Sequence, residues 1–275
     1  MRSGSHEPTS STGVDSPHPN LLTVISIAVV ACAAADMVHE AVGHGIASWL
    51  VGDRILSIST VGIQNVTANR FVAACGTSAN AIVGALSFLF LRRPKRFASS
   101  VYFLWLFGAF NLFNSGYLIA SALLSNGDWA AVIVGLTPPA LWRIVLALAG
   151  VALYTLAIRW SVDVMLAFVE RGEVAPRDLR LLVLPAYIAG GVLMTAASVL
   201  NPISPSLILI SGVGASFGLN CGFLFLPGMI DSRTRSRTLA SRPVPFSLFW
   251  FGLALVTALA FVAVLGPGIR IGQPH

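Results

Sequence analysis

Apolar residues fill this chain in long runs divided by short polar stretches, and a run of about 20 residues spans the hydrocarbon core of a bilayer as a helix. The runs fall at about 21–50, 71–91, 101–124, 139–160, 180–200, 205–227 and 246–267. They predict an all-α polytopic transmembrane bundle of seven helices, with six and eight as the bounds of the count. Between 52 and 70, Ile55, Ser57 and Ser59 alternate with Leu56, Ile58 and Thr60, a β-prone stretch that predicts a short strand or re-entrant hairpin after the first helix. Backbone of that kind at membrane depth has to be shielded by protein or line a wet cavity. Asn201-Pro202-Ile203-Ser204-Pro205 reads as a tight turn that makes the two flanking helices antiparallel neighbours. Residues 1–20, rich in Ser, Pro, Thr and Gly, read as a disordered tail and not as a cleaved signal.

Composition agrees with the pattern: 56% of the 275 residues are hydrophobic and only 10% are charged. In a soluble protein the net charge of +6 would suggest nucleic acid, but here the basic residues sit in short loops, where they orient a membrane protein. Arg92, Arg93, Lys95 and Arg96, then Arg159, Arg171, Arg177 and Arg180, then Arg233, Arg235, Arg237 and Arg242 occupy alternate loops; Arg54, Arg70, Arg143 and Arg270 occupy the others. The expectation is an integral protein of the cell membrane with a cytoplasmic N-terminus and an external C-terminus. Trp49, Trp129 and Trp142 then fall at the outer interface, and Trp105, Trp160 and Trp250 at the inner one. Cys32, Cys75 and Cys221 are isolated within apolar segments, which argues against a disulfide framework or a thiolate cluster. Asp163 to Arg180, with balanced charges, reads as a solvated loop containing an amphipathic helix.

Against this background His39-Glu40-Ala41-Val42-Gly43-His44 stands out, because ionisable groups are costly in hydrocarbon and usually functional there. His39 and His44 are the candidate metal ligands and Glu40 the candidate general base. The usual zinc-hydrolase motif spaces its histidines four apart on one helix face; here the spacing is five, and the side chains diverge by about 140° on an ideal α-helix. A local distortion is required, and Gly43 with a π-bulge supplies it. Asp36 shares a face with Glu40 and His44 and is a candidate to orient an imidazole. Only two histidines are available in the membrane, so the third ligand is a carboxylate or an amide: Asp128 in Asn126-Gly127-Asp128-Trp129, with Asn114 as the alternative. Asp128 also reads as a plain turn residue, and Gly76, Asn80 and Gly84 as a small-residue stripe for helix packing.

The H-E-x-x-G-H spacing resembles a soluble zinc dipeptidyl-peptidase family, in which both histidines bind the metal. Its setting resembles the site-2 protease family of intramembrane metalloproteases over roughly residues 30–130. Val38 to Ala47 is similar to that family's zinc-binding helix with one residue inserted. Ala74-Cys75-Gly76-Thr77-Ser78-Ala79-Asn80 is similar to its Gly-Pro-x-x-Asn element, without the Pro and with the Asn one residue later. Asn111-Leu112-Phe113-Asn114-Ser115-Gly116 is similar to its Asn-Leu and Asp-Gly elements, without the Asp. The resemblance implies a zinc metallopeptidase core at 21–130, followed by further helices of the same membrane domain at 131–275. It also implies hydrolysis of membrane or membrane-proximal peptides by metal-activated water, and contacts to substrate or ligand from Asn80 and Asn111. The family usually opens its site to the cytoplasm, whereas the charge pattern here puts the site outside.

The expected partners are the lipid bilayer and a membrane peptide, with no nucleic acid, and the oligomeric state is left open. A non-catalytic relative that binds an ion or transports a small solute is the rival reading, and a lipid hydrolase a third. Gly214-Ala215-Ser216-Phe217-Gly218 fits a serine-nucleophile pattern but lacks a base, since no His or Lys follows it in the membrane; small-residue packing accounts for it better.

Overall fold

The computed structural model describes residues 18–93, 96–201, 208–234 and 244–271. Seven of its helical stretches are long and apolar enough to cross a membrane, so the chain is an integral membrane helical bundle. The proposed tail at 1–20 lies almost wholly outside the described residues, as do the Pro202–Pro205 turn, Lys95, Arg235, Arg237 and Arg242.

The first span, α1 (Leu21–Leu50), is the centre of the bundle. Val24, Ile27, Ala28 and Ala31 are fully buried, and the run of alanines lets neighbours approach closely, as packing in a lipid solvent favours. Around it stand α2 (Arg70–Leu91), α3 (Ser99–Phe113), α7 (Leu179–Val199) and α9 (Leu248–Ala260). The 101–124 run is not one continuous helix: it breaks at Asn114-Ser115, and α4 (Gly116–Leu124) follows. Gly116 sits at the break, where a Cβ would come within 3.0 Å of Leu219. A short α5 (Asp128–Ile133) leads to the long α6 (Pro139–Glu170). The sixth span starts as a π-helix (Ile208–Gly218), tightens to a 3₁₀ turn (Leu219–Leu224) and ends as α8 (Leu226–Arg233).

The β-prone stretch forms the antiparallel hairpin β1 (Ile55–Ser59) and β2 (Gly62–Asn65), and β3 (Ile269–Arg270) adds to the outer side of β1. The hairpin, α5 and β3 share one end of the bundle with the histidines, and the described arginines of 92–96, 171–180 and 233 lie at the other. Two expectations change. Asp163–Glu170 is not a solvated loop but the end of α6, whose Met165, Phe168 and Val169 are buried in the main core. Trp105 is not interfacial: it is fully buried, and its Nε1 donates to the Ser161 carbonyl at 3.0 Å.

Candidate metal centre

Residues Val38–Gly45 of α1 are wound as a π-helix. Hydrogen bonds in such a turn reach five residues along the chain, so residues five apart share a face, which is where His39 and His44 stand. The distortion is held from outside. A Cβ on Gly43 would lie 2.5 Å from Gly76 Cα and 2.8 Å from the Cys75 carbonyl, so α2 packs backbone to backbone against the π segment. At Gly76 a Cβ would lie 2.5 Å from His44 Nε2 and 2.7 Å from His39 Nε2. Neither glycine can carry a side chain without displacing backbone or imidazole.

Both imidazoles have their Nδ1 committed. His39 Nδ1 donates to Asn80 Oδ1 at 2.8 Å. The direction is fixed because Asn80 Nδ2 already donates to the Ala35 carbonyl (2.9 Å) and to Asn111 Oδ1 (2.7 Å), while Asn111 Nδ2 donates to the Phe107 carbonyl (2.7 Å). His44 Nδ1 donates to the Val72 carbonyl at 2.8 Å, an acceptor that has no proton to give. Each Nε2 lone pair therefore faces the same place. Tyr117 stacks on the His39 ring at 5.3 Å between centroids. From the hairpin, Asn65 Nδ2 donates to Ser48 Oγ (2.8 Å), which donates to the His44 carbonyl (2.7 Å) and ties β2 to the π segment.

Asp128 completes the group. Gly127, at φ +86°, turns the chain so that Asp128 opens α5, and Arg70 Nη2 donates to the Val134 carbonyl at 2.5 Å, pinning the far end of α5 to the start of α2. Asp128 Oδ2 lies 3.0 Å from His39 Nε2 and 3.3 Å from His44 Nε2, and the two Nε2 atoms are 3.2 Å apart. An ionised carboxylate has no proton to give, so Asp128 Oδ2 stands beside the two Nε2 atoms as the third acceptor of the group.

Three acceptor atoms in a triangle of 3.0–3.3 Å sides repel one another unless a cation sits among them or a proton returns to one ring. Ligand atoms at ~2.0–2.1 Å from a tetrahedral zinc ion stand about 3.3–3.4 Å apart, so the triangle fits such an ion with a shift of a few tenths of an ångström. His39, His44 and Asp128 form the group that can hold a metal among the described residues.

The group opens into a cavity of about 970 Å³ walled by β2, the start of α2, α4, α5 and, from outside the 21–130 region, Gly214, Ala215 and Leu219 of the sixth span. Glu40 lines this cavity, is 6% exposed, and has no hydrogen-bond partner on Oε2.

The other candidates fall elsewhere. Asp36 makes no hydrogen bond to either imidazole, and its Oδ2 is buried without a partner; the orienting groups are Asn80 and the Val72 carbonyl. Asn114 sits in the break between α3 and α4, with Oδ1 buried and unpartnered, and does not line the cavity. Asn80 is fully buried with both amide hydrogens spent, so it positions His39 and has no donor left for a substrate strand. Asn111 backs Asn80 in the same chain of bonds. Val72, Ser48 and Tyr117 were not foreseen. A backbone carbonyl leaves no mark in sequence, whereas Tyr117, directly after the Asn114-Ser115-Gly116 element, was open to notice.

Ser216 donates back to the Gly212 carbonyl of its own helix and is 3% exposed, which leaves no free nucleophile in the G-x-S-x-G run. Comparison with protein-family models, with curated proteins and with solved structures finds no match for this chain.

Proposed function

We propose that the protein is a membrane-embedded zinc metallopeptidase similar to the site-2 proteases, cutting membrane or membrane-proximal peptides. His39, His44 and Asp128 would be the ligands and Glu40 the general base. The observation that carries this reading is the convergence of three lone-pair atoms whose neighbouring protons are all turned away, beside an unpaired buried carboxylate in one cavity. Two imidazoles and a carboxylate suit zinc and leave one position for water or substrate. When bound, zinc supplies Lewis acidity and an acidified water. Glu40 takes the proton of the attacking water and delivers it to the leaving amine. Asn80 and Val72 hold both rings in the tautomer that ligation needs. Asn65, whose Oδ1 is buried without a partner in the cavity wall, can accept a substrate N–H, which an extended peptide in a membrane has to satisfy.

In this reading the arginine-bearing end is cytoplasmic, in the cell membrane, with the N-terminus on that side and the metal centre outside. A cysteine placed at the exposed Gln64 of β2 should react with a membrane-impermeant reagent on intact cells; protection until lysis would reverse the orientation.

A non-catalytic ion-binding or transport protein is the second reading, favoured by Asp36, a buried carboxylate oxygen without a partner one turn before Glu40. Elemental analysis of detergent-purified protein, paired with cleavage of membrane peptides, separates the two. Near-stoichiometric zinc in wild type, lost in His44→Ala and Asp128→Asn but retained in Asn114→Ala and Glu40→Gln, is expected, with cleavage lost in Glu40→Gln. Metal without cleavage by wild type favours the second reading, and a folded wild type without metal overturns the first.

A further inference from the structure

We infer that the crevice between α6 and α8, at the end of the bundle away from the histidines, binds one anionic phospholipid. The crevice encloses about 600 Å³ and is walled by Ile158, Leu224, Phe225 and Met229, with Arg159 and Arg233 at its mouth. Its depth matches a lipid headgroup. At 1.5 Å per residue the ~30 Å hydrocarbon core takes about 20 residues of α6, and counted from Ile144, after the interfacial Trp142 and Arg143, these end at Asp163, so Arg159 lies about one turn inside the boundary and reaches the headgroup level by extending its side chain.

Arg159 is exposed and has no hydrogen-bond or ion-pair partner among the described residues. Arg233 makes one long contact, 3.4 Å to Asp163, and both of those side chains are largely open to solvent. Two guanidiniums against one carboxylate leave the mouth positive, and guanidinium is the side chain that matches phosphate geometry best. Below the mouth the surface is apolar and unfilled. Leu224 and Phe225 are about half exposed, at 48% and 57%, and a Cβ on Gly228 would meet nothing within 4 Å.

A phosphate held by the two arginines and an acyl chain laid along Phe225 and Ile158 use both halves of the crevice. Inorganic phosphate would use only the mouth, and a zwitterionic lipid brings a cation of its own to a positive site. Basic pockets between transmembrane helices recognise anionic headgroups in this way. The site shares no residue with the metal centre and does not depend on its chemistry.

Native mass spectrometry of the full chain in detergent tests the assignment, with phosphatidylglycerol, phosphatidylcholine and inorganic phosphate as probes at equal concentration. One retained phosphatidylglycerol is expected on wild type, weakened about fivefold in Arg159→Gln and further in Arg159→Gln/Arg233→Gln, in line with the worth of one basic residue near an anionic surface. Arg180→Gln, an exposed arginine outside the crevice, should retain it. Gly228→Leu keeps both arginines and fills open space, so it should also expel the lipid while leaving the melting temperature unchanged. Equal retention of the two lipids, binding that survives the double substitution, or displacement of phosphatidylglycerol by equimolar phosphate would overturn the proposal.

Discussion

Two π-helical segments border the same cavity, and they behave in opposite ways. Val38–Gly45 turns two imidazoles onto one face and presents them to a carboxylate from another element. Ile208–Gly218 carries a serine in a nucleophile-like pattern, yet that hydroxyl is spent on the carbonyl four residues before it. The winding is the same, so winding does not make a site. In the first segment, the neighbouring α2 absorbs the protons on the far side of each ring and leaves the lone pairs facing inward. In the second, the backbone absorbs the one reactive proton, and Gly214 and Ala215 serve as cavity wall.

The largest expected break of this contrast comes from the glycine contacts. Gly76→Ala puts a methyl 2.5 Å from His44 Nε2, and Gly43→Ala puts one 2.5 Å from Gly76 Cα. Overpacking of this kind typically costs 1–3 kcal/mol, and neither the α2 backbone nor the imidazoles can give way without spoiling the triangle. Both variants should lose bound zinc and melt lower. The matched change in the second segment, Gly218→Ala, adds a methyl where nothing lies within 4 Å and should leave both measurements as in wild type. Zinc retained in Gly76→Ala would mean that the close approach is not what shapes the site.

Much of this organisation was legible in the chain. Hydropathy gave the seven spans, and the five-residue spacing of His39 and His44, impossible on an α-helix for a shared ligand, pointed to the π distortion at Gly43. Asp128 could be nominated because the acidic residues of the membrane half are so few. The rest depended on which helices meet. Asp36 looked like the orienting carboxylate because it lies on the right face of α1, but the rings are turned toward α2, where an amide and a main-chain carbonyl do the work. Trp105 looked interfacial by its place in a span, yet its side chain is enclosed by the core it packs into. Face and depth follow from sequence period; the partner across the gap does not.

Asn80→Ala is expected to have the next effect. It strips the acceptor from His39 Nδ1 and leaves the buried Asn111 amide oxygen without its donor, while the Ala35 carbonyl keeps the Val38 N–H. Loss of an orienting partner usually weakens metal affinity by 10–100-fold, and each unpaired buried group costs about 1–3 kcal/mol. Zinc competition with a chelator should show the affinity loss. Asn80→Asp keeps the acceptor for His39 but turns an oxygen toward the Ala35 carbonyl and Asn111 Oδ1, so it should melt no higher than Asn80→Ala and yet bind zinc more tightly, which a purely structural role for Asn80 would not predict.

Ser216→Ala should do least, and it tests the contrast most directly. The hydroxyl bonds only main-chain carbonyls of its own helix, and a helix serine bonded back to its own backbone contributes little. Removing it should shift stability by no more than about 0.5 kcal/mol, the range of changes that break no special contact. Zinc content and peptide cleavage should both match wild type. Cleavage abolished by Ser216→Ala with zinc retained would move the reaction from the first π segment to the second. It would also require a base, and no histidine or lysine follows Ser216 among the described residues. Intact cleavage leaves the two segments as they stand, one presenting the imidazoles proposed to bind the metal and the other forming wall of the same cavity.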